Sequence, residues 1–305
     1  MPHVKYFEIV RNVINENIQN ITMQKGLLQN EAYQEVVRYL KQNSAQWSSG
    51  RQPVICYHDP LCRIAYLYGI VPANANLVEI IFSEDRELRE YINFLINKKS
   101  VIIVSAFGGG PGTELLGIIK YLEYKRSRFG KPIYLDFLIL DRVTEWLDSW
   151  LALKREIERR FENNIGPDRN TWPVIFSGNF SGVDITNTSN FGNLGNLFMQ
   201  DICILSYLLS EIFDEFDNFI IFLKDMVTYS AQGSKFLFID RRGPIWENIV
   251  REISERVGLE LSEFQYTRRN MDPDEQVTDL GKLYEDVGRN PRVTWDAFWV
   301  VGIKR

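Results

Sequence analysis

The chain has 305 residues, 45% hydrophobic and 25% charged, enough to bury a sizeable core in one large domain or two smaller ones. Its 35 basic residues against 40 acidic ones give a net charge of −5, which argues against a broad nucleic-acid footprint. Three cysteines without framework spacing (Cys56, Cys62 and Cys203) speak against a disulfide scaffold and for a reducing compartment, so an intracellular location, cytoplasmic or nuclear, is expected.

The N-terminal stretch is amphipathic and charged throughout, with no apolar signal core. No apolar run approaches the roughly 18 residues of a membrane span, so no membrane partner is expected. Val4, Phe7, Val10, Ile14, Ile18 and Ile21 recur at helical spacing, and Gly26 is a plausible stop. A second helix is predicted over Asn30–Lys41, followed by a polar connector, NSAQWSSGRQP. Asp59–Tyr68 and Glu84–Ile96 also read as helical. Residues 1–98 are therefore expected to form a helical cap or accessory region, and 99–305 a second domain.

From residue 101 the pattern changes. VIIVSAF, IYLDFLIL, VIFSGNF with GVDIT, DICILSYL and SKFLFID are short apolar runs alternating with helical stretches, which predicts crossover units and a parallel sheet. The helix after the fourth run is expected to begin with Leu208, Leu209 and Ile212. At the C-terminus LELSEFQYT and DAFWVVGIKR are two strand-like segments with no helical pattern between them. They are expected to pair and to add an antiparallel strand at the sheet edge. The fold class predicted is α/β and Rossmann-like.

The first strand runs directly into Phe107-Gly108-Gly109-Gly110-Pro111-Gly112-Thr113-Glu114 and a helix. Glycines there let the backbone turn sharply and a ligand approach without a Cβ in the way, beside the unpaired N–H groups of a helix start. The dinucleotide pattern G-x-G-x-x-G fails, since from Gly108 it demands glycine where Thr113 stands. A Walker loop fails for want of G-K-[ST]. The spacing that fits is G-x-G-x-G, at Gly108, Gly110 and Gly112. Asp141 ends the second run, where a carboxylate accepts hydrogen bonds from ribose hydroxyls; a helix N-cap is its structural alternative. Arg142 follows. Trp146 could line the same edge as Asp141 and Arg142, but it shares a helical face with Trp150 and Leu153 and core packing is its stronger reading. Asp184 stands at the third strand end, as an adenine contact or a solvated acid. Ser206 and Tyr207 end the fourth run, beyond which the reactive ligand of an open α/β sheet lies. An aromatic ring there suits a cationic group. Glu211, one turn on, is a candidate base or simply a cap-turn acid.

These segments resemble class I S-adenosylmethionine-dependent methyltransferases. FGGGPGTE matches their first motif, and LILDR and DICILSYLLSEI match the second and fourth strand ends. The likeness spans about residues 100–240. Within the class they resemble a eukaryotic group that includes fungal ribosomal RNA uridine-N3 methyltransferases, and SYLLSEI is similar to the mitochondrial ribosomal small-subunit methyltransferase-like family. The resemblance implies S-adenosylmethionine as cofactor, bound by Phe107, Gly108, Gly110, Gly112, Glu114, Asp141, Arg142, Asp184, Ser206 and Tyr207, with Tyr207 and Glu211 catalytic. It implies RNA as acceptor; a small molecule or a protein is the alternative, as is a non-catalytic scaffold. Ala106 departs from the pattern, because an acid usually stands two places before the first glycine; Glu114 is the candidate to replace it. YHDPLCRIAYLYGIVPANA resembles the segment preceding the motif, which would bring Tyr57, Arg63 and Tyr66 over the pocket; packing against the sheet is the competing reading. With only His3 and His58, no histidine metal site is expected. Two basic runs, Lys125, Arg126, Arg128, Lys131 and Lys154, Arg155, Arg159, Arg160, would contact RNA phosphates or simply be solvated faces.

Overall fold

The computed structural model describes residues 4–48, 53–125, 129–163, 174–187, 199–271 and 273–305. Five helices come first: α1 (Tyr6–Lys25), α2 (Gln29–Ser48), α3 (Pro60–Gly69), α4 (Val71–Glu84) and α5 (Arg86–Lys99). The alternating part follows as β1 (Val101–Phe107), α6 (Thr113–Lys125), β2 (Ile133–Asp141), α7 (Trp146–Asn163), β3 (Val174–Gly182), β4 (Ile202–Ser206), α8 (Phe216–Tyr229), β5 (Lys235–Arg241) and α9 (Pro244–Val257). The chain closes with β6 (Leu259–Leu261), β7 (Gln265–Asn270), α10 (Pro273–Leu280), α11 (Lys282–Val287) and β8 (Thr294–Lys304).

One sheet runs β3-β2-β1-β4-β5-β8-β6, with β7 also on β8. The first five strands are parallel, and β8 lies antiparallel between β5 and the β6–β7 segments. This is the Rossmann-like arrangement expected from the sequence, a mostly parallel sheet with an antiparallel C-terminal strand. The period-2 alternation of the strands sorts two cores. Ile202, Ile204, Leu237 and Ile239 join helices α1–α7 on one face, while Cys203, Leu205, Phe236 and Phe238 join α8 and α9 on the other. The N-terminal helices thus share one apolar core with the first face of the sheet.

The structure departs from the sequence reading in four places. The polar connector after Lys41 is helical as far as Ser48, because Asn43 and its neighbours dock on α3, with the Asn43 amide 3.5 Å from Cys62 Sγ. Tertiary contact overrides composition there. The helix α4 escaped notice because it is buried nearly all round and shows no amphipathic stripe. No helix begins at Leu208: residues 208–212 are turns, and α8 starts at Phe216 after a 3-10 turn, Phe213–Glu215. Tyr207, at φ +56°, reverses the chain there and tucks Leu208, Leu209 and Ile212 into the second core. The two terminal strand segments pair as expected, but α10 and α11 intervene. Among the described residues no single helix is long and apolar enough to cross a membrane.

Candidate functional site

The strand order reverses between β1 and β4, so a crevice opens at their carboxyl ends, where open α/β sheets bind ligands. A cavity of about 380 Å³ lies there. Gly108 and Gly110, at φ +63° and +50°, form one wall, because only glycine adopts this backbone without strain. A Cβ on Gly110 would stand 3.6 Å from the Trp146 ring.

Asp141 makes the floor. Its Oδ2 accepts from Gly110 N at 2.9 Å and its Oδ1 from Val143 N at 2.8 Å, which ties the glycine loop to the end of β2. A carboxylate has about four acceptor positions, so two remain for a ligand. Burial pushes the Asp141 carboxyl up to about 6, against the pull of those two backbone bonds. Asp184 lines the same cavity, with Oδ1 taken by Thr186 N and Oγ1 at 2.9 and 2.7 Å. Arg142 also lines it and pairs with Glu215 at 2.9 Å.

Ser206, Tyr207 and Glu211 complete the wall at the end of β4. Tyr207 is pinned in its left-handed conformation by its own N–H on Ile239 O, at 2.8 Å, and by the Ser210 hydroxyl on its carbonyl, at 3.0 Å. A non-glycine residue holds such a conformation only where its surroundings over-determine it. Burial raises the Tyr207 phenol above its ordinary range. The Glu211 carboxyl is pushed up to about 7 by burial first and by the charge of Asp141 second.

Three aromatic rings roof the cavity. Tyr57, Tyr66 and Trp146 meet with centroids 5.3–5.7 Å apart. Arg63 is not in the wall. It is buried, and its Nη1 donates to the carbonyls of Tyr57 (2.8 Å) and His58 (3.1 Å), which fixes the turn that carries Tyr57. His58 pairs with Glu145 at the exposed rim.

The structure therefore brings together Gly108, Gly110, Asp141, Arg142, Asp184, Ser206, Tyr207 and Glu211. It leaves three expected residues outside the wall. Phe107 is buried in the second core against Phe222, at 5.3 Å between centroids. Gly112 backs onto Trp150, which a Cβ would meet at 2.8 Å. Glu114 is buried on the first turn of α6 behind Tyr66 and Ser206, and burial pushes its carboxyl up to about 7. The basic runs form no open track among the described residues. Arg155 pairs with Glu16, Arg159 and Arg160 with Glu156, and Lys154 lies 3.9 Å from Glu158. Arg126 and Arg128 lie outside the described residues.

A second cavity of about 420 Å³ adjoins the first and shares Tyr66, Tyr207 and Glu211 with it. Trp47 and Asn74 from the N-terminal helices, Arg241 after β5, and Arg289 and Arg292 before β8 line it. None of these five was singled out in the sequence. Arg241 was within reach of the strand-end rule, since it ends the fifth parallel strand.

Neither a protein-family model nor a curated sequence matches the chain. Among solved structures, an S-adenosylmethionine-dependent methyltransferase from Methanosarcina mazei is similar at 11% identity and a TM-score of 0.39, over 68% of this chain and 93% of that one. An O-methyltransferase family protein from Burkholderia thailandensis is 12% identical, with a TM-score of 0.44 over 96% and 71%. An N-methyltransferase from Bradyrhizobium japonicum is 14% identical, with a TM-score of 0.36 over 73% and 96%. Fold and crevice are those of a Rossmann-like α/β protein with a cavity at the switch point of its sheet.

Proposed function

We propose that the chain is a methyltransferase that binds S-adenosylmethionine in the first cavity. The observation that carries the reading is the Asp141 carboxylate, locked to Gly110 at the switch point with acceptor positions left over. Asp141 would hold the ribose hydroxyls, Asp184 the adenine edge, and Gly108 and Gly110 the close approach of the backbone. The charge of the wall supports this choice over a dinucleotide. Asp141, Asp184 and Glu211 repel a pyrophosphate and favour a sulfonium and an ammonium group, while Arg142 is already paired.

When bound, the cofactor would supply an activated methyl group on a sulfonium, which a lone pair of the acceptor atom could take while the displaced electron pair stayed on sulfur. Glu211, facing both cavities, takes the proton that the acceptor atom loses. A carboxyl ionising near pH 7 is well matched to that task. Tyr57, Tyr66 and Trp146 exclude water, and Tyr207 offers its ring to the cationic end. Residues 1–98 serve as the accessory unit to the catalytic 99–305, since they furnish Tyr57 and Tyr66. RNA as acceptor has the motif resemblance in its favour; the pairing of the α7 cations with carboxylates gives it no further support.

Calorimetric titration with S-adenosylhomocysteine, with NAD as control, tests the reading. Saturable one-to-one binding of the former alone is expected. Binding of NAD, or of neither, would overturn it.

A further inference from the structure

We infer that the second cavity receives the methyl acceptor and that this acceptor is a small organic anion. The inference rests on the methyltransferase reading, because the cavity is placed by its common wall with the first.

That wall comprises Tyr66, Tyr207 and Glu211. A molecule in the second cavity therefore lies beside the proposed base and beside the proposed reacting end of the cofactor. About 420 Å³ is ample for a small molecule.

The charge of the cavity is opposite to that of its neighbour. Arg241, Arg289 and Arg292 converge on it against the one carboxylate of Glu211 in its wall; among the described residues none of the three is within 4 Å of a carboxylate oxygen, although the charge of Arg241 also acts on Glu211 and Asp240. This is unusual in a chain whose arginines are otherwise mostly matched to carboxylates and whose net charge is −5. Arg241 is held in place by Trp47 O, at 2.7 Å from its Nη1. Arg292 is held through its Nε on Thr294 O, at 2.6 Å, and its guanidinium lies 5.9 Å from the centre of the Tyr207 ring. Both guanidiniums are thus oriented by contacts that use only part of their five donors. Guanidinium forks fixed in this way match the planar oxygens of a carboxylate or the oxygens of a phosphate.

Asn74 gives an independent sign of a ligand. It lines the cavity, is 5% exposed, and its Oδ1 has no hydrogen-bond partner. A buried amide oxygen left alone is costly, so a polar group of the ligand is called for. The rings of Trp47 and Tyr66, 6.3 Å apart, and the side chains of Leu40 and Ile70 supply apolar walls. The chemistry that fits is an anionic group on a compact, partly apolar body that also carries a hydroxyl or amine. An extended polyanion would call for a line of cations leading away from the cavity, and the cations of α7 are committed to carboxylates.

The test is calorimetry at low salt on the full chain saturated with S-adenosylhomocysteine. The probes are 4-hydroxybenzoate, phenyl phosphate and the neutral 4-hydroxybenzamide. At least one anion is expected to bind at least tenfold more tightly than the amide, and R289Q is expected to weaken that anion tenfold or more while R289K restores it. Comparison of the two anions separates a carboxylate site from a phosphate site. The wild-type ratio of acid to amide stands even if the variants fail to fold. Equal binding of acid and amide overturns the inference. So does binding of neither anion, or of a short RNA in their place, while S-adenosylhomocysteine still binds; in those cases the cofactor reading survives. Failure to bind S-adenosylhomocysteine removes the cofactor reading and with it the acceptor role of the cavity.

Discussion

Replacing Glu211 by glutamine separates what the site needs for stability from what it needs for chemistry. In the folded chain this carboxyl ionises near pH 7, against an ordinary value of 4.5. Below pH 4.5 it is neutral in both folded and unfolded chains, and its titration contributes nothing. Between pH 4.5 and 7 the unfolded chain ionises first and gains stability, so the folded state loses ground as pH rises. Above pH 7 the loss is complete, and about 2.5 pH units at 1.36 kcal/mol each give about 3 kcal/mol. Glu211 is only half-buried beside a cavity, so solvent reduces this to about 1–3 kcal/mol. Glutamine keeps the oxygen that accepts from Tyr57 OH, at 3.4 Å, and has no charge to desolvate. Without ligand, E211Q should therefore melt several degrees higher than wild type at pH 8 and at the same temperature at pH 4. Methyl transfer should fall by about 10²–10⁴ if the carboxylate is the base. Urea or thermal unfolding at the two pH values checks the first part. A variant less stable than wild type at pH 8 would refute the electrostatic argument.

The raised carboxyls act together on ligand choice. Asp141 and Glu211 ionise near 6 and 7, so binding of S-adenosylmethionine should tighten as pH rises from 5.5 to 8, while S-adenosylhomocysteine, which lacks the sulfonium, should respond less; paired titrations show this. D141N must turn its amide nitrogen toward Gly110 N or Val143 N, so one hydrogen bond is lost at about 1–3 kcal/mol, and cofactor binding should disappear in calorimetry. G110A forces an L side chain into φ +50° at a cost of about 1–2 kcal/mol, and binding of S-adenosylhomocysteine should weaken about tenfold while the fold persists by circular dichroism. R63M leaves the carbonyls of Tyr57 and His58 without their donor, and limited proteolysis near residue 57 should accelerate.

The parallel core was legible because its strands are short apolar runs bounded by turn residues: β1 occupies the expected Val101–Phe107 and β2 ends at Asp141 as expected. Elements without a one-sided pattern were not legible. The helix α4 is buried nearly all round, and the tail of α2 is polar in composition yet docked on α3. The turn after Tyr207 was hidden because Leu208, Leu209 and Ile212 have helical spacing but reach the core from a reversed chain. On the site, the strand-end rule found Asp141, Asp184, Ser206 and Tyr207, since position along a parallel strand fixes which end faces the crevice. For Trp146 both readings hold, since its indole packs in the core and also forms cavity wall. The rule missed Asn74, Arg289 and Arg292, which lie far apart in sequence and converge only because the N-terminal helices and the segment before β8 close over the same strand ends.

The central claim is that an adenosyl cofactor lies in the crevice with its ribose on Asp141. A crystal structure of the full chain grown with S-adenosylhomocysteine tests it most directly. The account predicts both ribose hydroxyls on the Asp141 carboxylate, the adenine beside Asp184 and the sulfur facing Tyr207 and Glu211. A ligand bound elsewhere, or bound in the crevice without Asp141, would contradict it.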